Sequence, residues 1–122
     1  METKNEMQEK VNFFTEVYWT QFCEIFPKLV KFDPPTVKLC GRLTVTAGKA
    51  YQPDNRIHLG SKFLAKYEDM MLLQILPHEI AHIVDFVLNG QSEKYCGHGK
   101  KWVEIMVQFG IPADKYHLMG KV

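Results

Sequence analysis

Two histidines and a glutamate lie close together in an otherwise apolar stretch of the chain, LQILPHEIAHIVDF at residues 73–86. If this stretch is helical, His78 and His82 lie four residues apart on one face, where a single cation can bridge both imidazoles. Glu79 then lies beside them. Burying three ionisable groups among apolar residues costs free energy unless a partner satisfies them. The spacing therefore predicts a metal site.

The pattern H-E-x-x-H is typical of zinc hydrolases, in which the histidines bind zinc and the glutamate acts on a water molecule at the metal. The alternative is a chance pair of surface or core histidines, although unliganded His and Glu are costly in an apolar helix. A catalytic zinc takes three protein ligands and keeps one position open. A third ligand must therefore come from elsewhere in the chain.

His98 is the predicted third ligand. It stands between two glycines in CGHGKKW, residues 96–102, and glycine allows close backbone approach and unusual dihedral angles. Cys96 is a good zinc ligand by its chemistry and is the main rival. Three neutral histidines favour an open hydrolytic site, since a structural zinc usually has four protein ligands. Weaker candidates are His58 on a predicted strand, Glu93 in a polar loop and His117 in the tail.

The first half of the chain supplies a helix and a small sheet. Residues 6–26 have the spacing of an amphipathic helix, which Pro27 ends. Residues rich in β-branched side chains predict two or three strands between positions 36 and 60. Ser61 is a predicted cap for a short helix that follows.

The second half supplies two helices. A long helix over about residues 68–89 carries the motif, and Pro77 should start or distort it just before the first histidine. Asn89-Gly90 ends this helix, and a last amphipathic helix covers 99–109, with Gly110 at its end. The order of helix, small sheet, motif helix and final helix predicts one α+β domain.

Charge is unevenly distributed, although the whole chain carries a formal net charge of only +1. Residues 27–66 contain eight Lys/Arg and two acidic residues, a net charge of +6. A segment of this kind can meet a polyanion such as DNA, or it can be a solvated surface that keeps the protein in solution.

Composition places the chain among ordinary globular proteins, with 46% apolar and 24% charged residues. The three cysteines form no C-x-x-C pair, and the polar N-terminus lacks the pattern of a secretory signal. No uncharged apolar run is long enough to cross a membrane. These features predict a cytoplasmic protein and leave its oligomeric state open.

In combination, the motifs resemble those of the SprT-like family of zinc metallopeptidases, which includes Spartan, a eukaryotic DNA–protein crosslink protease. The matching segments are LPHEIAH at 76–82 and GHGKKW at 97–102. Upstream, LTVTAG at 43–48 and RIHLG at 56–60 resemble the strands that precede the family's active-site helix. The two C-x-x-C pairs of the zinc ribbon that many members carry are absent from this sequence.

The resemblance implies one zincin-like α+β domain over residues 1–122 that binds one catalytic Zn²⁺ through His78, His82 and His98. It implies that Glu79 is the general base and that the substrate is a protein or peptide, including proteins attached to DNA. The basic segment 27–66 would then contact the DNA. Two alternatives stay open: a peptidase independent of DNA that acts on one protein partner, and a non-catalytic zinc-containing binding module.

Three further roles are predicted around the site. Asp85 can accept a hydrogen bond from a ligand histidine, or it can be solvated. The strand over 56–60 is expected to present a sheet edge to which an extended peptide adds. Candidate donors to the oxyanion are Tyr95, Tyr116 and His117.

Overall fold

The computed structural model describes residues 3–90 and 99–111 of the chain. Helix α1 spans Lys4–Ile25, and a 3-10 turn follows at Pro27–Lys31. The sheet consists of β1 (Thr36–Cys40), β2 (Gly48–Tyr51) and β3 (Arg56–Gly60), with a 3-10 turn at Gln52–Asp54 between the last two strands. The remaining elements are α2 (Ser61–Lys66), α3 (Glu68–Met70), a π-helical turn (Met71–Ile75), α4 (Leu76–Asn89) and α5 (Lys100–Phe109).

Helix α1 confirms the predicted N-terminal helix. It begins after a capping box, in which the Thr3 side chain accepts from the Glu6 amide and the Glu6 carboxylate accepts from the Thr3 amide. The helix ends before Pro27, as expected. Its buried face includes Val11, Tyr18 and Phe22 and packs against the motif helix.

The sheet has the strand order β1-β3-β2, with β1 parallel to β3 and β2 antiparallel to β3. Its inner face packs into the core through buried residues of β1 and β3: Val37, Leu39, Ile57 and Leu59. The prediction that the strand over 56–60 is an edge is wrong, because β3 is the central strand. The edges within the described sheet are β1 and β2.

Residues 43–47, expected to belong to a strand, form bends and irregular backbone, and β2 begins only at Gly48. The reason is topological: β1 and β2 lie on opposite sides of β3. The connection must cross two strand spacings, about 10 Å. Its last residue pairs with β3, where the Ala47 carbonyl accepts from the Gly60 amide at 2.8 Å. Ser61 is also not a cap. It is the first residue of α2, and Gly60 takes the cap position without a side-chain hydrogen bond.

The predicted distortion before the motif is confirmed. The helical run from Glu68 to Asn89 changes to π-helical geometry in the turn immediately before α4, where the Leu76 amide donates to the Met71 carbonyl. The next bond of this pattern would join the Leu72 carbonyl to residue 77, but Pro77 has no N–H. The hydroxyl of buried Tyr18 donates to that carbonyl instead, at 2.7 Å.

The same run is long and apolar enough to cross a membrane by length and composition, but 67% of its most apolar window is buried within the domain. This is typical of the core helix of a soluble protein. Glycines end the last two helices as predicted. Gly90 follows α4 and Gly110 follows α5, both at positive φ, a conformation that costs other residues free energy.

We predict that Tyr18→Phe lowers the free energy of unfolding by about 1–3 kcal/mol, because the buried Leu72 carbonyl loses its hydrogen bond. Chemical denaturation measures this loss. The control is the Pro77→Ala background, in which residue 77 regains an N–H that can satisfy the same carbonyl. Tyr18→Phe should cost less there, and an equal cost in both backgrounds would contradict this account of the π-helical turn.

Candidate metal centre

Helix α4 brings the three motif residues together in the core. The side chains of His78, Glu79 and His82 are buried, with exposed fractions of 4%, 8% and 6%. One potential ligand atom from each lies within 4.8 Å of the other two. Among residues 3–90 and 99–111, this is the one group of three or more such side chains close enough to hold a metal ion.

The carboxyl group of Glu79 has an unfavourable environment. Burial raises its pKa from 4.5 to about 8, because an apolar surrounding penalises the charged form. One of its oxygens, Oε2, lies 3.8 Å from His78 Nε2. A nearby cation would favour the ionised carboxylate and oppose this shift. Two imidazoles with an adjacent carboxylate match the ligand chemistry of zinc, so the cluster fits the metal that the motif implies.

Trp102, at the start of α5, packs directly on both imidazoles. Its ring lies nearly parallel to that of His82, with centroids 5.2 Å apart, and tilts against His78 at 4.7 Å. The indole Nε1–H donates to the His78 carbonyl at 3.4 Å. This tryptophan thus fixes α5 to the histidine-bearing turn of α4.

Two residues near the site were missed by reasoning from the sequence. Gln52, just after β2, donates from Nε2 to the His82 carbonyl at 3.2 Å. Gly48, the first residue of β2, lies so close to the site that an added Cβ would be 3.2 Å from Glu79 Cγ. The only sequence signal was the glycine in LTVTAG, whereas nothing in the sequence links Gln52 to a helix 30 residues away.

The other predicted site residues are placed less centrally or lie outside the described part of the chain. His58 is in β3 on the sheet face opposite the core, where its ring contacts Tyr51 at 4.8 Å, so it is not a ligand of this cluster. Asp85 accepts a hydrogen bond from the Asn89 side chain at 2.8 Å. Outside the described residues are His98, Cys96, Glu93, Tyr95, Tyr116 and His117.

The fold and the cluster define a small α+β domain with a zincin-like H-E-x-x-H helix. Residues 9–117 match the SprT-like family, which covers most of the chain. The chain therefore belongs to the SprT-like family, as its motifs indicated. No solved structure matches it.

Bacterial proteins named Protein SprT are similar to this chain. The protein from Glaesserella parasuis serovar 5 is 37% identical over 87 residues, which is 70% of this chain and 53% of the relative. The proteins from Actinobacillus succinogenes and Vibrio atlanticus are each 34% identical, over 70% and 71% of this chain and 49% and 51% of their own lengths. The chain thus spans about half the length of these relatives.

We predict that Glu79 makes the stability of the metal-free protein depend on pH. The folded-state pKa of Glu79, about 8, lies above the 4.5 of an ordinary glutamate. The contribution of this residue to the free energy of unfolding is therefore complete below pH 4.5 and is lost as the pH rises towards 8. With a chelator present, the free energy of unfolding should fall between pH 4.5 and 8 in the wild type. The slope should be steeper than that of Glu79→Gln by about 1 kcal/mol per pH unit. Denaturation at several pH values measures both slopes, and equal slopes would contradict the assignment.

We also predict that Gly48→Ala destabilises the protein by about 1–3 kcal/mol, because the new methyl group would lie 3.1–3.3 Å from Leu59, Glu79 and Ile75. Gly41→Ala is the matched control, since its Cβ would meet only the Ser61 hydroxyl at an ordinary 3.6 Å. Thermal unfolding of the two variants tests this difference. Equal stability of the two variants would show that Gly48 is not tightly packed against the site.

Proposed function

We propose that this protein is a zinc-dependent endopeptidase in which His78, His82 and His98 bind one catalytic Zn²⁺ and Glu79 is the general base. The observation that carries the proposal is the buried cluster of two histidines and one glutamate on a single turn of α4, with its ligand atoms within 4.8 Å of one another. Membership of the SprT-like family and the position of His98 in the family's G-H-G element support it.

Bound zinc would polarise the scissile carbonyl group and lower the pKa of water toward neutrality. The protein's own contribution is the proton transfer. An ionised Glu79 accepts the proton of the attacking water and then delivers it to the leaving amine. Its buried position suits this role, because an apolar surrounding brings the carboxyl pKa nearer to the pH at which the reaction runs. Trp102 and Gln52 hold the helix turn that carries these groups.

The peptide substrate would bind along β2 rather than β3. Within the described sheet, β2 is hydrogen-bonded only to β3, so its other edge can accept an extended peptide by strand addition. The first residue of this strand, Gly48, is in contact range of Glu79. A peptide paired with this edge would pass close to the general base. Main-chain pairing would account for hydrolysis with little side-chain selectivity.

Proteins associated with DNA are the substrate class that the family resemblance favours, and the basic segment 27–66 is consistent with it. A peptidase that acts independently of DNA is the competing possibility. The two differ in one measurable property. Cleavage of a basic, DNA-binding protein such as a histone should rise with added single-stranded DNA at low salt only in the first case.

The decisive experiment compares zinc content and peptidase activity in the wild type and three variants. We expect about one zinc per chain in the wild type, a sharp loss in His98→Ala and full retention in Cys96→Ala, the control for the rival ligand. Glu79→Gln should keep its zinc but lose peptide cleavage by about 10²-fold or more. Elemental analysis and cleavage of an unfolded protein substrate give the two readouts.

Each outcome against the proposal has a separate meaning. Full zinc in His98→Ala together with loss in Cys96→Ala would make Cys96 the third ligand. A wild type that binds no zinc even after refolding with added metal would contradict the catalytic assignment. Undiminished cleavage by Glu79→Gln would contradict the role of Glu79 as general base.

A further inference from the structure

The side of α1 that points away from the core is exposed to solvent along the length of the helix. The opposite side packs into the hydrophobic core through residues that include Val11, Tyr18 and Phe22. With about 3.6 residues per turn, the solvent-facing positions are those half a turn away from these three. We call them the outer face of α1, and all seven are exposed: Glu6, Glu9, Phe13, Glu16, Val17, Thr20 and Glu24.

Two apolar side chains lie at the middle of the outer face of α1. Phe13 is 63% exposed and Val17 is 37% exposed, and they are neighbours because residues four apart share one side of a helix. The ring of Phe13 stands edge-on to that of Phe14 at 5.9 Å, and Phe14 packs against the core beside Tyr18. The exposed ring is therefore held against the protein. Single exposed apolar residues are ordinary, so the surroundings of this pair must show whether it has a function.

The charged residues of the outer face of α1 are all acidic. Within residues 3–90 and 99–111, Glu9, Glu16 and Glu24 form no ion pair. Lys10 follows Glu9 in the sequence but pairs with Glu68 at 2.6 Å. The outer face therefore presents unneutralised carboxylates on both sides of its two apolar residues.

Some of these carboxylates are in unfavourable positions for the free helix. Glu24 lies in the last turn of α1, where the aligned peptide dipoles favour a cation, and this turn contains no basic residue. Glu6 and Glu9 are three residues apart, and like charges on neighbouring positions of a helix repel each other. The free protein thus bears small electrostatic costs along this face, which a positively charged partner would remove.

A second copy of the chain is a poor occupant of this surface. Two copies of α1 packed antiparallel through Phe13 and Val17 would place Glu6 of each copy opposite Glu24 of the other. Two parallel copies would place each glutamate beside its own counterpart. Like charges that face each other across an interface oppose association. The charges therefore favour a partner of opposite sign.

We propose that the outer face of α1 binds a basic amphipathic helix of a partner protein. Such a helix would pack apolar residues three or four apart on Phe13 and Val17, and its flanking lysines and arginines would meet the glutamates. The surface is long enough, because Glu6 and Glu24 are separated by about 27 Å along the helix axis. A small molecule is a poorer match, since small-molecule sites are concave and this surface is the convex side of a helix.

This inference goes beyond the proposed peptidase and does not rest on it. No residue of the outer face of α1 belongs to the cluster on α4 or to the edge of β2. Helix α1 packs against α4 with its buried side, so a helix bound to the outer face would not occupy the metal centre. The surface would bring the protein to a partner, whereas the substrate would bind elsewhere.

The first test measures the fluorescence anisotropy of a labelled Lys/Leu peptide, an amphipathic helix of about 14 residues, with the full-length protein. Phe13→Ala/Val17→Ala should weaken binding about tenfold or more, because a few buried anchors carry most of the affinity of an interface. The control is Val30→Ala/Val107→Ala, which truncates two valines that are 72% and 65% exposed elsewhere. Equal weakening by both pairs would overturn the proposal.

The second test examines charge complementarity. Glu9→Gln/Glu16→Gln should weaken binding of the Lys/Leu peptide about tenfold and make it less sensitive to salt. The matched control is Asp33→Asn/Glu104→Gln, the same change of charge at two other exposed positions, which should bind like the wild type. A Glu/Leu peptide of the same length should not bind. Equal weakening by the two pairs, or binding of the Glu/Leu peptide, would contradict the proposal.

Other occupants of the surface would give different results, and each would overturn the proposal. Poly-lysine that binds as tightly as the Lys/Leu peptide and ignores Phe13→Ala/Val17→Ala would indicate an extended basic chain. A dimer in sedimentation experiments that the same variant dissociates would indicate a second copy. Peptide binding that appears only after removal of residues 112–122 would make that segment the occupant. Circular dichroism checks that each variant is folded, and none of these measurements depends on cleavage.

Discussion

The burial of a carboxyl group beside two imidazoles in an apolar core is the constraint on which the site depends. An ionised Glu79 is unfavourable there, and its raised pKa of about 8 expresses that cost. A cation bound beside the cluster would offset this cost by stabilising the charged form. The neighbouring elements hold these three polar side chains on one turn of α4.

Three contacts from separate parts of the chain perform that task. Trp102 packs on both imidazoles from α5, Gln52 bonds the His82 carbonyl from beyond β2, and Gly48 admits the Glu79 side chain beside the sheet. On the N-terminal side, Tyr18 satisfies the carbonyl that Pro77 leaves without a partner. A π-helical turn is uncommon and occurs often at functional sites. Here it lies immediately before the turn of α4 that carries the cluster.

Local features of the sequence predicted local features of the structure. The H-E-x-x-H spacing, the distortion at Pro77 and the glycines after α4 and α5 all depend on residues within one or two turns, and they were predicted correctly. The Ser61 cap is a local prediction that was wrong, and the other errors concern long-range pairing. A β-branched run over 43–47 has strand propensity, yet the chain must use it to cross from one side of β3 to the other. The third ligand His98 stays a prediction, because it lies outside the described residues.

Strand order also determines what the charges of the basic segment can do. Counting Lys and Arg over 27–66 gives eight cations but no arrangement. Because β3 is the central strand, the register brings three of these cations onto one face of the sheet together with Tyr51. They are Lys38, Lys49 and Arg56. The same order makes β2 an edge strand whose alternate residues point to the metal centre and to the cationic surface. Because successive side chains of a strand point to opposite faces, Gly48 of β2 faces Glu79 while its neighbour Lys49 faces the opposite side of the sheet.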